Sequence, residues 1–168
     1  MEGSFTSYNV GEDVRVPTRA FIGMGSNLGK REATLRRALA LLDEREDVRV
    51  VDVSSLRETD PVGYLDQPRF LNGAARLETD LTPRELLDVL LEVERALGRV
   101  REGPRFGPRA IDLDLLLYGD ATIDEPGLTL PHPRLHERRF VLEPLHELDP
   151  ELVVLGRGTV AELLSKLD

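Results

Sequence analysis

The sequence has 168 residues, a length that supports one domain with a single buried core. Hydrophobic residues make up 40% and charged residues 32%, which fits a globular domain. The sequence has no run of about 18 apolar residues, the length needed to span a bilayer. The net charge of −9 argues against broad binding to nucleic acid or anionic membranes. Because cysteine is absent, any metal must be held by oxygen or imidazole.

The first half of the chain predicts a short extension followed by strand, turn and helix. Residues 1–18 show no hydrophobic period and are predicted to be a flexible extension, so the single domain covers 19–168. Ala20–Met24 is predicted to be a buried strand that ends at the glycine-rich turn Gly25–Gly29. A helix follows, because apolar residues recur at helical spacing from Leu35 to Leu42.

The remaining elements complete a recognisable order. Strands are predicted at Val48–Leu56, Phe70–Glu78 and Ile111–Tyr118 from β-branched content or alternation. A helix begins with the capping pattern Thr82–Glu85 and ends at Gly98, and short helices follow the last strand. The order β-α-β-β-α-β predicts an α+β, ferredoxin-like sandwich, in which an antiparallel sheet carries its two helices on one face.

Two aspartates are predicted to share one face of the last strand. If the apolar residues at 111, 113, 115 and 117 pack on the helices, Asp112 and Asp114 project from the opposite face, because side chains alternate along a strand. Phe70 and Asn72 point the same way by the same rule. We therefore expect polar and aromatic candidates to collect on the uncovered side of the sheet.

The aspartate pair indicates a divalent cation. Aspartate is depleted in strands, and two carboxylates about 7 Å apart on one face repel each other unless a cation lies between them. Asp112 and Asp114 could share one Mg²⁺, or two ions that hold a phosphate chain. The alternative is an ordinary strand face exposed to solvent.

A cationic loop precedes this strand. The segment 98–109 contains four arginines and one acid in an acidic protein, and its glycines and prolines favour a loop. Arginine suits phosphate oxygens, so loop and aspartates together indicate a magnesium–triphosphate site, although the loop alone could be a solvated basic turn. The glycines at 23, 25 and 29 match neither the dinucleotide fingerprint nor a P-loop, and prolines beside His132 oppose a paired zinc site with His136.

Several segments resemble one enzyme family. The segment Arg105–Leu116 resembles the signature of the 6-hydroxymethyl-7,8-dihydropterin pyrophosphokinases of folate synthesis. The likeness extends through Phe21–Gly29, Asp66–Asn72, Leu130–Pro133 and Arg138–Phe140, in the same order, and covers nearly everything after residue 18. The resemblance implies a ferredoxin-like fold and the transfer of pyrophosphate from ATP to the pterin hydroxymethyl group, with release of AMP.

The resemblance also implies two groups of site residues. Asp112 and Asp114 would bind two Mg²⁺ ions that arrive with ATP, and together with Arg99 and Arg109 they would be catalytic. The residues implied for ATP are Glu94, Arg99, Arg101, Arg109, Leu115, Thr129, His132 and Arg138. The residues implied for 6-hydroxymethyl-7,8-dihydropterin are Thr59, Pro61, Val62, Gly63, Phe70, Asn72, Phe106 and Phe140.

Three positions depart from the common family pattern. Phe106 stands where Trp is common and Phe70 where Tyr is common, and both keep an aromatic face for stacking. Pro133 replaces a Tyr found in some members, so it is left out of the nucleotide site. Two rival functions remain: a nucleotidyltransferase with the same aspartate pair, and a ferredoxin-like module that binds a ligand without converting it. We expect a cytoplasmic monomer with no nucleic-acid or membrane partner.

Overall fold

The computed structural model describes residues 16–61, 66–98 and 110–168. The main body consists of β1 (Thr18–Ser26), α1 (Arg31–Asp43), β2 (Val48–Val53), β3 (Arg57–Thr59), β4 (Phe70–Thr79), α2 (Pro83–Ala96) and β5 (Asp112–Tyr118). The C-terminal part adds β6 (Ile123–Glu125), β7 (Leu128–Leu130), a 3₁₀ turn (Leu135–Glu137), α3 (Arg139–Leu148), β8 (Val153–Val154), β9 (Gly158–Thr159) and α4 (Val160–Ser165). The predicted extension over 1–18 stays a prediction, because residues 1–15 lie outside the described ranges.

The central sheet has the order β2-β4-β1-β5 and is antiparallel, and β3 pairs with β4. This order confirms the predicted ferredoxin-like α+β sandwich. The strand predicted at Val48–Leu56 is shorter in the structure, where β2 ends at Val53, and the separate strand β3 was not predicted. In the described part of the chain, no helix combines the length and the apolar character needed to cross a bilayer.

One core lies between the sheet and the helices α1 and α2. The apolar residues that recur at the helical spacing of 3.6 and at the strand spacing of two point into this core. Its largest fully buried side chains include Ile22, Leu35, Leu42, Leu77, Leu86, Leu90 and Ile111. The predicted capping box of α2 is present: the Thr82 hydroxyl accepts the Glu85 N–H at 3.2 Å, and the Glu85 carboxylate accepts the Thr82 N–H at 2.9 Å. These bonds satisfy backbone donors that the first helical turn leaves unpaired.

A second core covers part of the opposite sheet face, which corrects the expectation of a bare face. Phe21, Ala74 and Leu116 pack there against buried side chains of α3 and α4. The expectation was wrong because it did not consider that the C-terminal helices have apolar side chains of their own, which are buried against this face. The end of the face that carries Asp112 and Asp114 is not covered by this second core and keeps polar side chains.

The predicted alternation of β5 fails at its far end. The β1–β5 register pairs Ile22 with Leu115 and Phe21 with Leu117, so Leu116 is an extra residue on β5. Leu117 consequently packs in the second core, not with residues 111, 113 and 115 in the first. Because the irregularity lies beyond Asp114, it leaves the face of the two aspartates unchanged.

Candidate active site

Two glycines of β1 form the floor between the polar side chains. Gly25 is the Cα partner of Asn72 on β4 and of Asp112 on β5, and Gly23 is in the same way the partner of Ala74 and Asp114. Paired residues across antiparallel strands have Cα atoms about 4.5–5.5 Å apart, so Asn72 and Asp112 flank Gly25 about 10 Å from each other. Without a side chain at Gly25, the amide of Asn72 can lie against the strand, whereas at Gly23 the side chain of Leu116 lies within contact distance.

The aspartates share one face of β5, as the sequence predicted. Leu113 between them is buried in the core beneath α1 and α2, whereas Asp112 and Asp114 are half-buried on the other face. Two hard carboxylates fit Mg²⁺, which commonly takes one or two protein carboxylates together with substrate phosphates and water. Within the three described ranges, no group of three or more His, Asp or Glu side chains could hold a metal by itself. A pair of carboxylates is the protein contribution that Mg²⁺ takes when substrate phosphates and water complete its coordination.

Glu94 lies behind this strand. It is 1% exposed on α2, and its Oε2 accepts the backbone N–H of Leu113 at 2.7 Å. The resemblance implied that Glu94 is near the nucleotide. The structure shows it bonded to the residue between the two aspartates, where it supports the backbone that carries them.

His132 lies near Asp112. Its backbone N–H donates to the Leu116 carbonyl at 2.9 Å, and its Nδ1 accepts the backbone N–H of Arg134 at 3.2 Å. Burial and the guanidinium groups of Arg138 and Arg134 lower the pKa of His132 to about 4, and the opposing charge of Asp112 offsets only part of that effect. The imidazole is thus neutral at pH 7 and available for hydrogen bonding.

The other side of the floor carries an oriented amide. The Nδ2 of Asn72 donates to Thr59 Oγ1, and Asn72 Oδ1 occupies the space that a Cβ on Gly25 would need. Asn72 is 8% exposed, so its amide is held in a nearly enclosed position. Thr59 is the Cα partner of Phe70, which places hydroxyl, ring and amide on one face. An aromatic ring beside an oriented amide is suited to a flat heterocycle with a hydrogen-bonding edge.

Phe140, at the start of α3, is half-buried, and the Arg138 guanidinium lies 5.6 Å from the centroid of its ring. Pro61 is half-buried two residues after Thr59. Leu115 is 5% exposed in the first core, which leaves only its backbone for a ligand, and Thr129 lies in β7 between two buried leucines. The predicted residues Val62, Gly63, Arg99, Arg101, Phe106 and Arg109 lie outside the described ranges.

Asn27 was not among the site residues predicted from the sequence, although this residue lies in the glycine-rich turn after β1. This side chain is 2% exposed, and its Nδ2 donates to Gln67 Oε1 at 2.8 Å and to the Pro68 carbonyl at 2.9 Å. It thereby ties the turn to the segment that leads into Phe70 and Asn72. An asparagine between the two glycines of the turn was the signal that could have identified it, because asparagine side chains often hydrogen-bond backbone groups at turns.

Comparisons with known proteins place this ferredoxin-like sheet among the ATP-dependent diphosphotransferases. The family model described as 7,8-dihydro-6-hydroxymethylpterin-pyrophosphokinase matches residues 21–150. The 2-amino-4-hydroxy-6-hydroxymethyldihydropteridine pyrophosphokinase of Bacillus subtilis is 52% identical over 129 residues, 77% of either chain. The enzyme of the same name from Methylorubrum extorquens is 49% identical over 151 residues, 90% of this chain and 94% of that one. The chain belongs to the 6-hydroxymethyl-7,8-dihydropterin pyrophosphokinase family, whose reaction in folate biosynthesis transfers pyrophosphate from ATP to the pterin.

Solved structures agree on the fold. The Plasmodium falciparum HPPK-DHPS structure with pteroate superimposes with a TM-score of 0.72 at 14% identity and covers 92% of this chain. This chain covers 43% of that longer protein. At this identity the likeness supports the arrangement of the sheet and helices alone.

Proposed function

We propose that this chain transfers pyrophosphate from ATP to the hydroxymethyl group of 6-hydroxymethyl-7,8-dihydropterin and releases AMP, on the sheet face that carries Asn72, Asp112 and Asp114. The placement of Gly25 between Asn72 and Asp112 carries the proposal. On opposite sides of β1, about 10 Å apart, lie a candidate residue for binding the pterin and the candidate metal ligands. A pterin held at the amide could therefore direct its hydroxymethyl group toward phosphates held near the carboxylates.

Asp112 and Asp114 would hold two Mg²⁺ ions that enter with ATP, as the family resemblance implies. Bound there, the ions would supply charge neutralisation for the phosphate chain. The support from this chain is the shared face, the half-buried carboxylates and the backbone bond from Leu113 to Glu94. That bond limits movement of the strand between the two carboxylates.

The phosphates and the nucleotide would contact the other side of the aspartates. The neutral imidazole of His132 lies near Asp112, and the guanidinium of Arg138 lies near that imidazole. Both would provide hydrogen-bond donors without placing a third carboxylate there. Arg99, Arg101 and Arg109 would add cationic contacts, Thr129 would lie near the nucleotide, and Leu115 could contribute only its backbone. Arg99 and Arg109 would stabilise charge on the transferred group.

The pterin would lie at the Asn72 end. The amide of Asn72, fixed by Thr59, would read the hydrogen-bonding edge of the ring, and a reversed amide would present donors where the ring needs acceptors. Phe70 and Phe140 would sandwich the ring, with Phe106 as a further aromatic contact. The neighbouring residues proposed for this pocket are Thr59, Pro61, Val62 and Gly63.

The reaction proposed is in-line attack of the pterin hydroxyl oxygen on the β-phosphorus of ATP, with AMP as the leaving group. Residues of this chain would contribute orientation and fixed charges more than proton transfer. Asn72 and the aromatic rings would orient the nucleophile, and the arginines would stabilise charge on the phosphoryl oxygens. We further propose that the enzyme acts as a cytoplasmic monomer, which sedimentation of the purified chain can test for the oligomeric state.

Identification of the nucleotide product tests the function. Purified protein is incubated with ATP, Mg²⁺ and 6-hydroxymethyl-7,8-dihydropterin, and the products are separated by ion-exchange chromatography. AMP together with pterin pyrophosphate is the expected outcome. Free pyrophosphate would indicate a nucleotidyltransferase, ADP would indicate simple phosphoryl transfer, and no turnover would favour a non-catalytic binding module. Each of these three results refutes the proposal.

A further inference from the structure

The short strand β3 carries Thr59 but has little backbone support of its own. It spans Arg57–Thr59, and within the described ranges its one partner strand is β4, with Arg57 opposite Asn72 and Thr59 opposite Phe70. A three-residue pairing offers few ladder hydrogen bonds, so the position of such a strand depends on side-chain contacts. These contacts come from opposite faces of the sheet.

Glu147 of α3 holds β3 from the face that carries Asn72. Its carboxylate accepts the Ser55 N–H at 2.8 Å, the Ser55 hydroxyl at 2.7 Å and the Arg57 guanidinium at 2.9 Å. The Ser55 hydroxyl and N–H, helped by Arg57, lower the pKa of Glu147 below its ordinary value, so the carboxylate is charged at neutral pH. Glu143 lies 3.7 Å from the same guanidinium. The guanidinium of Arg57 is thus bound to α3, while the backbone of Arg57 pairs with Asn72 of β4.

Arg31 holds β3 from the other face. It lies in the first turn of α1, and its guanidinium donates to Glu58 Oε2 at 2.6 Å and to the Arg69 carbonyl at 2.9 Å. Glu58 lies directly before Thr59 within β3, and Arg69 is the residue just before β4, which begins at Phe70. One side chain therefore connects both strands at the level of the Thr59–Phe70 pair.

We infer that Glu147 and Arg31 are positioning residues for the pterin: from opposite faces of the sheet they fix β3, and through Thr59 they orient the amide of Asn72. The inference rests on the proposed function, in which this amide reads the pterin edge. Neither residue touches the floor formed by Gly23 and Gly25. Their effect reaches the substrate through the Thr59–Asn72 hydrogen bond.

The physical signature of this role is a selective loss of pterin affinity. Partly exposed ion pairs each contribute little to global stability, because solvent screens them and ordering their side chains costs entropy. Fixing a short strand is a local effect, which acts on the ligand that this strand contacts. A loss of either contact should therefore change pterin binding more than the melting temperature.

Steady-state kinetics of Glu147→Ala and Arg31→Ala test the inference. We expect each substitution to raise the KM for 6-hydroxymethyl-7,8-dihydropterin about tenfold, a change that corresponds to about 1.4 kcal/mol. The KM for ATP should stay within about twofold of wild type. Glu147→Gln keeps acceptor capacity for Ser55 but loses the charge that holds Arg57, so an intermediate KM is expected.

Glu125→Ala is the matched control. It removes the ion pair of 2.6 Å between Glu125 and Arg84, whose side chains are about as exposed as those of the Glu147–Arg57 pair. Arg84 lies in the first turn of α2, at the opposite end of that helix from Glu94. This control should lower the melting temperature about as much as the test variants and leave both KM values unchanged. Equal rises in the KM for pterin and for ATP would indicate a merely structural role and overturn the inference.

Two failures are distinguishable in this design. If the wild-type protein releases no AMP, the proposed function fails. If wild type is active and either Glu147→Ala or Arg31→Ala leaves the KM for pterin unchanged, the two-sided positioning of β3 is refuted and the proposed function stands.

Discussion

Replacing Gly25 by Ala tests whether the absence of a side chain between Asn72 and Asp112 matters. A Cβ at this position would overlap Asn72 Oδ1, far inside van der Waals contact. Gly25 does not adopt a left-handed backbone conformation, so alanine is compatible with the strand and the cost comes from this overlap. The amide of Asn72 must move, and its hydrogen bond to Thr59 must break or distort.

The structure sets the size of the expected effect. Loss of the Asn72–Thr59 hydrogen bond costs about 1 kcal/mol, and overpacking a tight site costs about 1–3 kcal/mol. Alanine recovers about 0.5–1 kcal/mol of backbone entropy in the unfolded chain, so we expect a net loss of about 1–3 kcal/mol in the free energy of unfolding. A misplaced amide also loses its bonds to the pterin, and a loss of about 3 kcal/mol there lowers kcat/KM about 100-fold.

Gly23→Ala is the control on the same strand. Its Cβ would lie 3.5 Å from Leu116 Cδ1, which is ordinary contact, so we expect stability within about 1 kcal/mol of wild type and nearly unchanged activity. Urea unfolding and pterin-dependent AMP release measure both variants. A Gly25→Ala enzyme with the kcat/KM and stability of Gly23→Ala would refute the reasoning.

Two further predictions concern the helix cap and the buried imidazole. Thr82→Ala removes the capping box of α2 and should lower the free energy of unfolding by about 1 kcal/mol, or the melting temperature by about 2–4 °C, whereas an unchanged calorimetric transition would show that the box contributes nothing. The pKa of His132 is lowered to about 4, so the unfolded chain binds this proton near pH 6.5 while the folded chain resists it. Wild type should therefore lose stability as the pH falls from 6.5 to 4, and urea titrations of His132→Asn without added metal should show a flatter profile. Parallel profiles for the two proteins would contradict the assignment.

The sequence predicted the sheet and its two main helices because their apolar periods are long and regular. It also predicted the common face of Asp112 and Asp114, since alternation holds at that end of β5. The extra residue at Leu116 gives no local signal, because an uninterrupted run of leucines looks the same with or without a bulge. The face of Leu117 was accordingly predicted wrongly.

Contacts between distant segments could not be predicted from the sequence, for a different reason. Short C-terminal helices were expected, but their docking depends on Ala74 and Leu116, which complement them only after the sheet has formed. The same holds for Glu147 and Ser55, which are 92 residues apart. Charged residues are frequent in this chain, and no local pattern distinguishes the few that hold β3.

The activity of Asp114→Ala tests the central claim most directly, because that claim is that this carboxylate and Asp112 hold the metal ions of the bound ATP. AMP formation is measured for wild type and variant over a range of Mg²⁺ concentrations, and circular dichroism verifies that both are folded. We predict AMP release at least about 100-fold slower in the variant, with little recovery at high Mg²⁺. A folded variant that releases AMP at the wild-type rate would contradict the account.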